Sequence, residues 1–213
     1  MLHIDFASLK RKAHNRVSAR ASTDEECING VLRICHNINE LLMDMQTSEC
    51  AMAIMSLGNW VNRKEFKTCK QTPRIGDVFY ADLGNAYKPE MAYPHPVLVI
   101  GEIGNHLMII PVSSAPYSVA NAYHPTTNPK GNKFARKVLV ADGFDCDSAL
   151  LISSVRTISG GRLLAFKSHI ANNALLDEVK DVIFQHVYGK AHIKLLKAEQ
   201  EIVALRAQLN QKN

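Results

Sequence analysis

Apolar positions along this chain change their period twice, from helical to alternating and back to helical. Ile28, Val31, Cys35, Ile38, Leu42 and Met45 recur at three- and four-residue steps, which sets them on one face of a long amphipathic helix. Thr23, with Glu26 three residues later, reads as a capping box at its start. Gly30 weakens that helix without ending it. A second helical stretch, Cys50 to Phe66, carries Ile54, Leu57, Trp60 and Val61 on its apolar side. The two are expected to pair as an antiparallel hairpin docked on the rest of the molecule or on another chain. Before them, Lys10, Arg11, Lys12, Arg16 and Arg20 stand against Asp5 alone, with weak apolar periodicity. That pattern predicts a loosely ordered basic arm, or one that contacts RNA.

A Thr72-Pro73 break ends the helical region, and the period then shortens to two. Strands are predicted at 78–83, 97–100, 107–112, 137–140, 149–152, 156–158 and 162–166, separated by loops rich in Gly, Pro, Asn and Ser. Too few residues lie between them for helical crossovers, so an antiparallel curled sheet or barrel is expected. The segment from Ala115 to Arg136, with Pro116, Pro125, Pro129 and Gly131, reads as one long loop and a candidate substrate flap. Gly160-Gly161 reads as a hairpin turn. Helical spacing resumes from Asn172 to Tyr188, with Gly189 as its cap. In the tail, Leu195, Ala198, Ile202, Leu205 and Leu209 follow the a/d steps of a short coiled coil. That tail is either a dimerising or intramolecular seam, or an exposed helix continuing the one before. The division is therefore 1–72, basic arm and helical hairpin; 73–189, strand-rich domain with its C-terminal helix; and 190–213, coiled-coil-like tail.

Composition narrows the class. A chain of 213 residues with 21% charged and 46% hydrophobic residues is that of an ordinary globular protein. No run approaches the ~18 apolar residues of a membrane span, and the start lacks a secretory apolar stretch, so a cytoplasmic protein with no membrane contact is expected. Cys27, Cys35, Cys50, Cys69 and Cys146 are scattered and show no metal or redox spacing. Reduced thiols are expected, with Cys27 and Cys35 packed on a helical stripe, and neither metal nor cofactor. The net charge of +5 mildly favours a polyanionic partner. Lys130, Lys133, Arg136 and Lys137 cluster near Tyr117, Tyr123 and Phe134, a combination suited to neutralising phosphates and stacking unpaired bases. A solvated basic loop has the same composition. No G-x-S-x-G, H-E-x-x-H or P-loop pattern occurs.

Four segments, in order, carry a resemblance: Gly76-Asp77-Val78-Phe79-Tyr80-Ala81-Asp82-Leu83, Pro94-His95-Pro96-Val97-Leu98-Val99-Ile100, Ile109-Ile110-Pro111-Val112-Ser113-Ser114, and Arg156-Thr157-Ile158 followed by Arg162-Leu163. Together they resemble the strands of the PemK/MazF-type toxins. The resemblance implies a mainly β, SH3-like barrel, α+β overall once the N-terminal helical hairpin and C-terminal helices are added. It implies a homodimer that cuts single-stranded RNA without a metal, blocked by an antitoxin protein. In that chemistry the ribose 2′-hydroxyl attacks the adjacent phosphate, leaving a cyclic phosphate and a free 5′-hydroxyl.

The resemblance points to His95, Ser113 and Glu90 as catalytic residues, and to Ser114, Arg156 and Arg162 as RNA contacts beside Tyr117 and the basic cluster. His95 stands where relatives carry arginine, and Ser113 where they carry threonine. The serine keeps the hydroxyl; the histidine loses a forked permanent charge and gains a titratable nitrogen. His95 is thus a working catalyst, a structural or binding residue, or the mark of an inactive site. Glu90 orients His95, meets a base edge, or is a solvated loop carboxylate. The competing class is a non-catalytic barrel module that binds nucleic acid or protein.

Overall fold

Helices open and close the chain with strands between them, following the two changes of period. In the computed structural model, which describes residues 1–15, 18–66 and 71–212, the order is α1 (Phe6–His14), α2 (Glu25–Met43), α3 (Thr47–Arg63), β1 (Asp77–Asp82), β2 (Pro94–Ile103), β3 (His106–Ser113), α4 (Pro116–Asn121), β4 (Ala122–Tyr123), β5 (Asn132–Val138), β6 (Ser148–Leu151), β7 (Arg156–Ser159), β8 (Leu163–His169), α5 (Asn173–Val187) and α6 (Gly189–Lys212). Cα packing separates Met1–Met55 from Ser56–Asn213.

In the first unit, the stretch expected to be a loose basic arm contains a helix, α1. The Asp5 carboxylate caps it by accepting from the Ser8 N–H at 3.0 Å. Arg16 and Val17 lie outside the described residues. Lys12 explains why a basic, weakly periodic segment folds: its ammonium lies 2.6 Å from Asp24 and 3.1 Å from Glu26. The cap of α2 is Asp24 rather than Thr23, since the Asp24 carboxylate accepts from the Cys27 N–H at 3.0 Å. Thr23 ends a 3-10 turn, where its hydroxyl donates to the Arg20 carbonyl. The helix stops at Met43, before Met45. Cys35 is exposed and Cys27 half-buried, because no residue of α2 is buried at all.

The second unit is built on an eight-stranded sheet of order β4-β5-β6-β3-β2-β1-β8, with β7 added to β3. It is open: among the described residues its end strands β4 and β8 do not pair with each other, so the expected barrel is not closed. Nor is it wholly antiparallel, because the short β4 runs parallel to β5. The sheet divides at β3, which pairs with β2 from His106 to Pro111 and with β7 from His106 to Ile109, while Val112 and Ser113 pair with Leu150 and Ala149 of β6. Alternate residues of the central strands enter two cores. Val78, Leu98, Ile100, Ile110 and Val112 pack with Leu175, Leu176 and Val179 of α5, while Phe79, Ala81, Val97, Val99 and Ile109 pack with Leu163. Burial on both faces is why Val97–Ile100 reads as an unbroken apolar run. Each such side chain, fully buried, contributes about 1.5–3 kcal/mol.

Three local expectations change. The stretch 115–136 is not one loop: it contains α4, β4 and the start of β5, with Asn128 donating to the carbonyls of Ala120 and Ala122. Gly160-Gly161 does not turn a hairpin. It opens a 3-10 turn between β7, which pairs with β3, and β8, which pairs with β1. Gly189 opens α6 instead of capping α5, whose C-cap is Tyr188.

Candidate active site

Three prolines shape the place where the strands part. Pro94 and Pro96 in β2 and Pro111 in β3 have no N–H to offer a ladder. The β2–β3 pairing ends at Val97 opposite Pro111. Two residues further on each strand stand His95 and Ser113, on the same side by strand alternation. By then β3 has turned to β6, with Ser113 opposite Ala149, while His95 stays opposite Ala81 of β1. A cavity of about 680 Å³ opens at this fork, lined by His95, Ser113, Ser114, Asp145, Cys146 and Lys167 among others.

His95 is half-buried, and its Nδ1 is fully buried with no hydrogen-bond partner among the described residues. A buried, unsatisfied ring nitrogen costs about 1–3 kcal/mol. That nitrogen is sealed from solvent, so a molecule in the cavity would meet another part of His95. The Ser113 Oγ accepts from the Ala115 N–H at 3.3 Å, leaving its own proton to donate. Ser114 is exposed, and Pro116 at the start of α4 lines the same cavity. Tyr117, next along α4, is 82% exposed. Lys167 of β8 lies 2.7 Å from Asp145, so the one lysine and one aspartate of the lining offset each other.

The other residues singled out in the sequence lie in two further groups. Arg156 donates to the Met91 carbonyl at 2.6 Å, and Arg162 to the Asp82 carbonyl at 3.0 Å. Both guanidinium groups thus brace the β1–β2 connection. Burial pushes the Arg156 pKa below its ordinary value, against the opposing charge of Glu90 and with a smaller lowering from Arg162. Glu90 is exposed and does not line the His95 cavity. In the second group, Arg136 is tied to Glu178 of α5 at 2.8 Å and lies over the Tyr123 ring. Lys133 shares a cavity with it beside α5; Lys137 faces Ala149 across the β5–β6 pair, and Lys130 is exposed.

Lys167, Asp145 and Cys146 were not marked by the sequence. No motif surrounds them. Only the β1–β8 register, which puts Ser168 opposite Val78, carries the end of β8 to the fork. Among the described residues no three His, Cys, Asp or Glu side chains cluster as metal ligands would, and no helix is long and apolar enough to cross a membrane.

Residues 74–187 match the family model described as the PemK-like, MazF-like toxin of type II toxin-antitoxin systems. The matched segment runs from just before β1 to the end of α5, and so includes the fork with His95 and Ser113. No curated protein matches the chain. The match spans more than half of the 213 residues, and the chain belongs to the PemK-like, MazF-like toxins of type II toxin-antitoxin systems.

Proposed function

We propose that this protein is a metal-independent, sequence-specific endoribonuclease that cuts single-stranded RNA and is restrained by a cognate antitoxin. The observation that carries the reading is the fork cavity, in which His95 shares one lining with Ser113 and Ser114. In the proposed step the ribose 2′-oxygen bonds to phosphorus as the bond to the 5′-oxygen breaks. The products are a cyclic phosphate and a 5′-hydroxyl. The 2′ proton must leave and the 5′-oxygen must gain one, and the imidazole of His95 takes up the first and supplies the second. Ser113 donates to a phosphoryl oxygen as charge builds there, and Lys167 adds positive charge once the phosphate competes with Asp145 for it. The curved, SH3-like face of the sheet carries the strand. Exposed Tyr117 stacks on an unpaired base, and Lys130, Lys133 and Lys137 follow the phosphates. Glu90, away from the cavity, is assigned a base edge rather than the orientation of His95, next to Arg156 and Arg162. Arg136, whose Nε holds Glu178 and whose Nη1 donates to the Lys137 carbonyl, braces this surface from within rather than meeting the strand.

One observation favours the rival reading, a binding module without chemistry: the cavity's only lysine is already engaged by Asp145. Incubating the purified protein with single-stranded RNA in EDTA and mapping new 5′-hydroxyl ends separates the two. Cleavage is expected, and His95→Ala should slow it by about 10²–10⁴-fold with an unchanged thermal melt. RNA bound but never cut would establish the module. Cutting at the wild-type rate by the alanine variant would remove His95 from the mechanism.

A further inference from the structure

Helix α6 lies beyond the family match and presents an apolar seam that is exposed among the described residues. Leu195, Ile202 and Leu205 are 50%, 49% and 64% exposed, and Ala198 between them is exposed as well. Among the described residues it is the first turn of the helix that is tied down: His192 packs its ring against Phe184 of α5, and the Ala191 N–H donates to the Tyr188 carbonyl. The intramolecular seam that the spacing allows is therefore absent among the described residues. At 24 residues the helix is about 36 Å long.

With Leu195 at position a, Ala198 and Leu205 fall at d and Ile202 at a, while the flanking g and e positions are Lys194, Glu199, Glu201 and Arg206. These four charges are exposed, and none makes an ion pair within the chain among the described residues. In a parallel two-stranded coil, each g residue meets the next e residue of the other strand. The pattern then sets Lys194 against Glu199 of the second copy, and Glu201 against Arg206 of the second copy. Both flanking layers are complementary for this chain paired with itself, in the same direction and in register. We infer that α6 is the interaction surface for a second copy of this chain, forming a short parallel coiled coil. Leu196 and Val203 are exposed too, but at b positions outside the seam. A parallel seam brings the two copies of the strand-rich unit to the same end of the coil.

The full chain tests this. Leu195→Cys should cross-link to itself under mild oxidation, above the background from the native cysteines, because parallel register places the two positions side by side. An antiparallel pairing would hold them apart, so a chain that does not cross-link overturns the proposal. Orientation and charge are tested together by placing Leu195→Cys in two further chains, one with Glu199→Lys and Glu201→Lys, the other with Lys194→Glu and Arg206→Glu. Mixed, they should cross-link to each other about tenfold more than either does to itself. Equal self- and cross-linking would overturn the pairing. Val203→Lys, outside the seam, should leave cross-linking intact where Ile202→Lys removes it; the reverse result would move the interface off the a/d positions.

Discussion

His95 and Gly76 are both legible as single letters, yet for different reasons. Gly76 opens the first strand at φ +93°, where its N–H donates to the Val99 carbonyl and its carbonyl accepts from Ile170. A Cβ there would come 2.7 Å from the Ile170 carbonyl oxygen. Gly76→Ala therefore suffers twice, from the left-handed backbone and from contact with an atom that cannot rotate away. A loss of about 1–3 kcal/mol is expected, read from the denaturant midpoint. A midpoint within error of the wild type would show that the strand entry relaxes. His95 carries a different kind of information. Its place before the Pro-Val-Leu-Val-Ile run marks it, but only coordinates reveal that its Nδ1 is buried and unpartnered. Lys167 had no such mark, since nothing in its neighbours along the chain distinguishes it from any solvated strand lysine.

At the scale of elements, α1 was the least legible helix because its stability rests on partners rather than on an apolar stripe. Lys12 sits between Asp24 and Glu26, and Ser8 donates to Glu26 at 2.6 Å. The bond from Lys12, then that from the Cys27 N–H, lowers the Asp24 pKa; the bond from Ser8, then that from Lys12, lowers the Glu26 pKa. Asp24, and to a lesser degree Glu26, raises that of Lys12. Lowered carboxyl values mean that their contribution is complete above the ordinary carboxylate range and drains as pH falls through the folded values. The raised lysine contributes below its ordinary value and is lost only as pH climbs past its folded one. Hydrogen-exchange protection across residues 6–14, corrected for intrinsic rates, should then be flat between about pH 5 and 9 and fall in acid. Protection that rises on acidification would contradict the ion pairs. Helix α2 is the converse case: its apolar period specifies the helix, but period alone does not specify burial, since no α2 side chain is buried.

At the scale of the whole molecule, the charge of +5 is spread over the chain instead of gathered in the cavity, where lysine and aspartate cancel. RNA affinity should therefore come from phosphate contacts along the surface and respond strongly to salt. With about three to five such contacts, raising salt from 50 to 200 mM should weaken binding of a short single strand by about 20- to 100-fold. Binding that ignores salt in a fluorescence anisotropy titration would locate recognition in bases alone. What short-range physics controls was legible in the residues alone: the helical and alternating periods, the prolines that interrupt a ladder, the family's four strand motifs, and the heptad spacing of the tail. Each is written in residues a few positions apart. Tertiary structure alone decided what depends on distant segments meeting. It left the sheet open, carried β8 so that Lys167 lines one cavity with Asp145 and His95, gave Arg136 to Glu178, and left the seam of α6 exposed. Periodicity specifies which side chains share a face, but what covers that face is set by register and by the path of the chain.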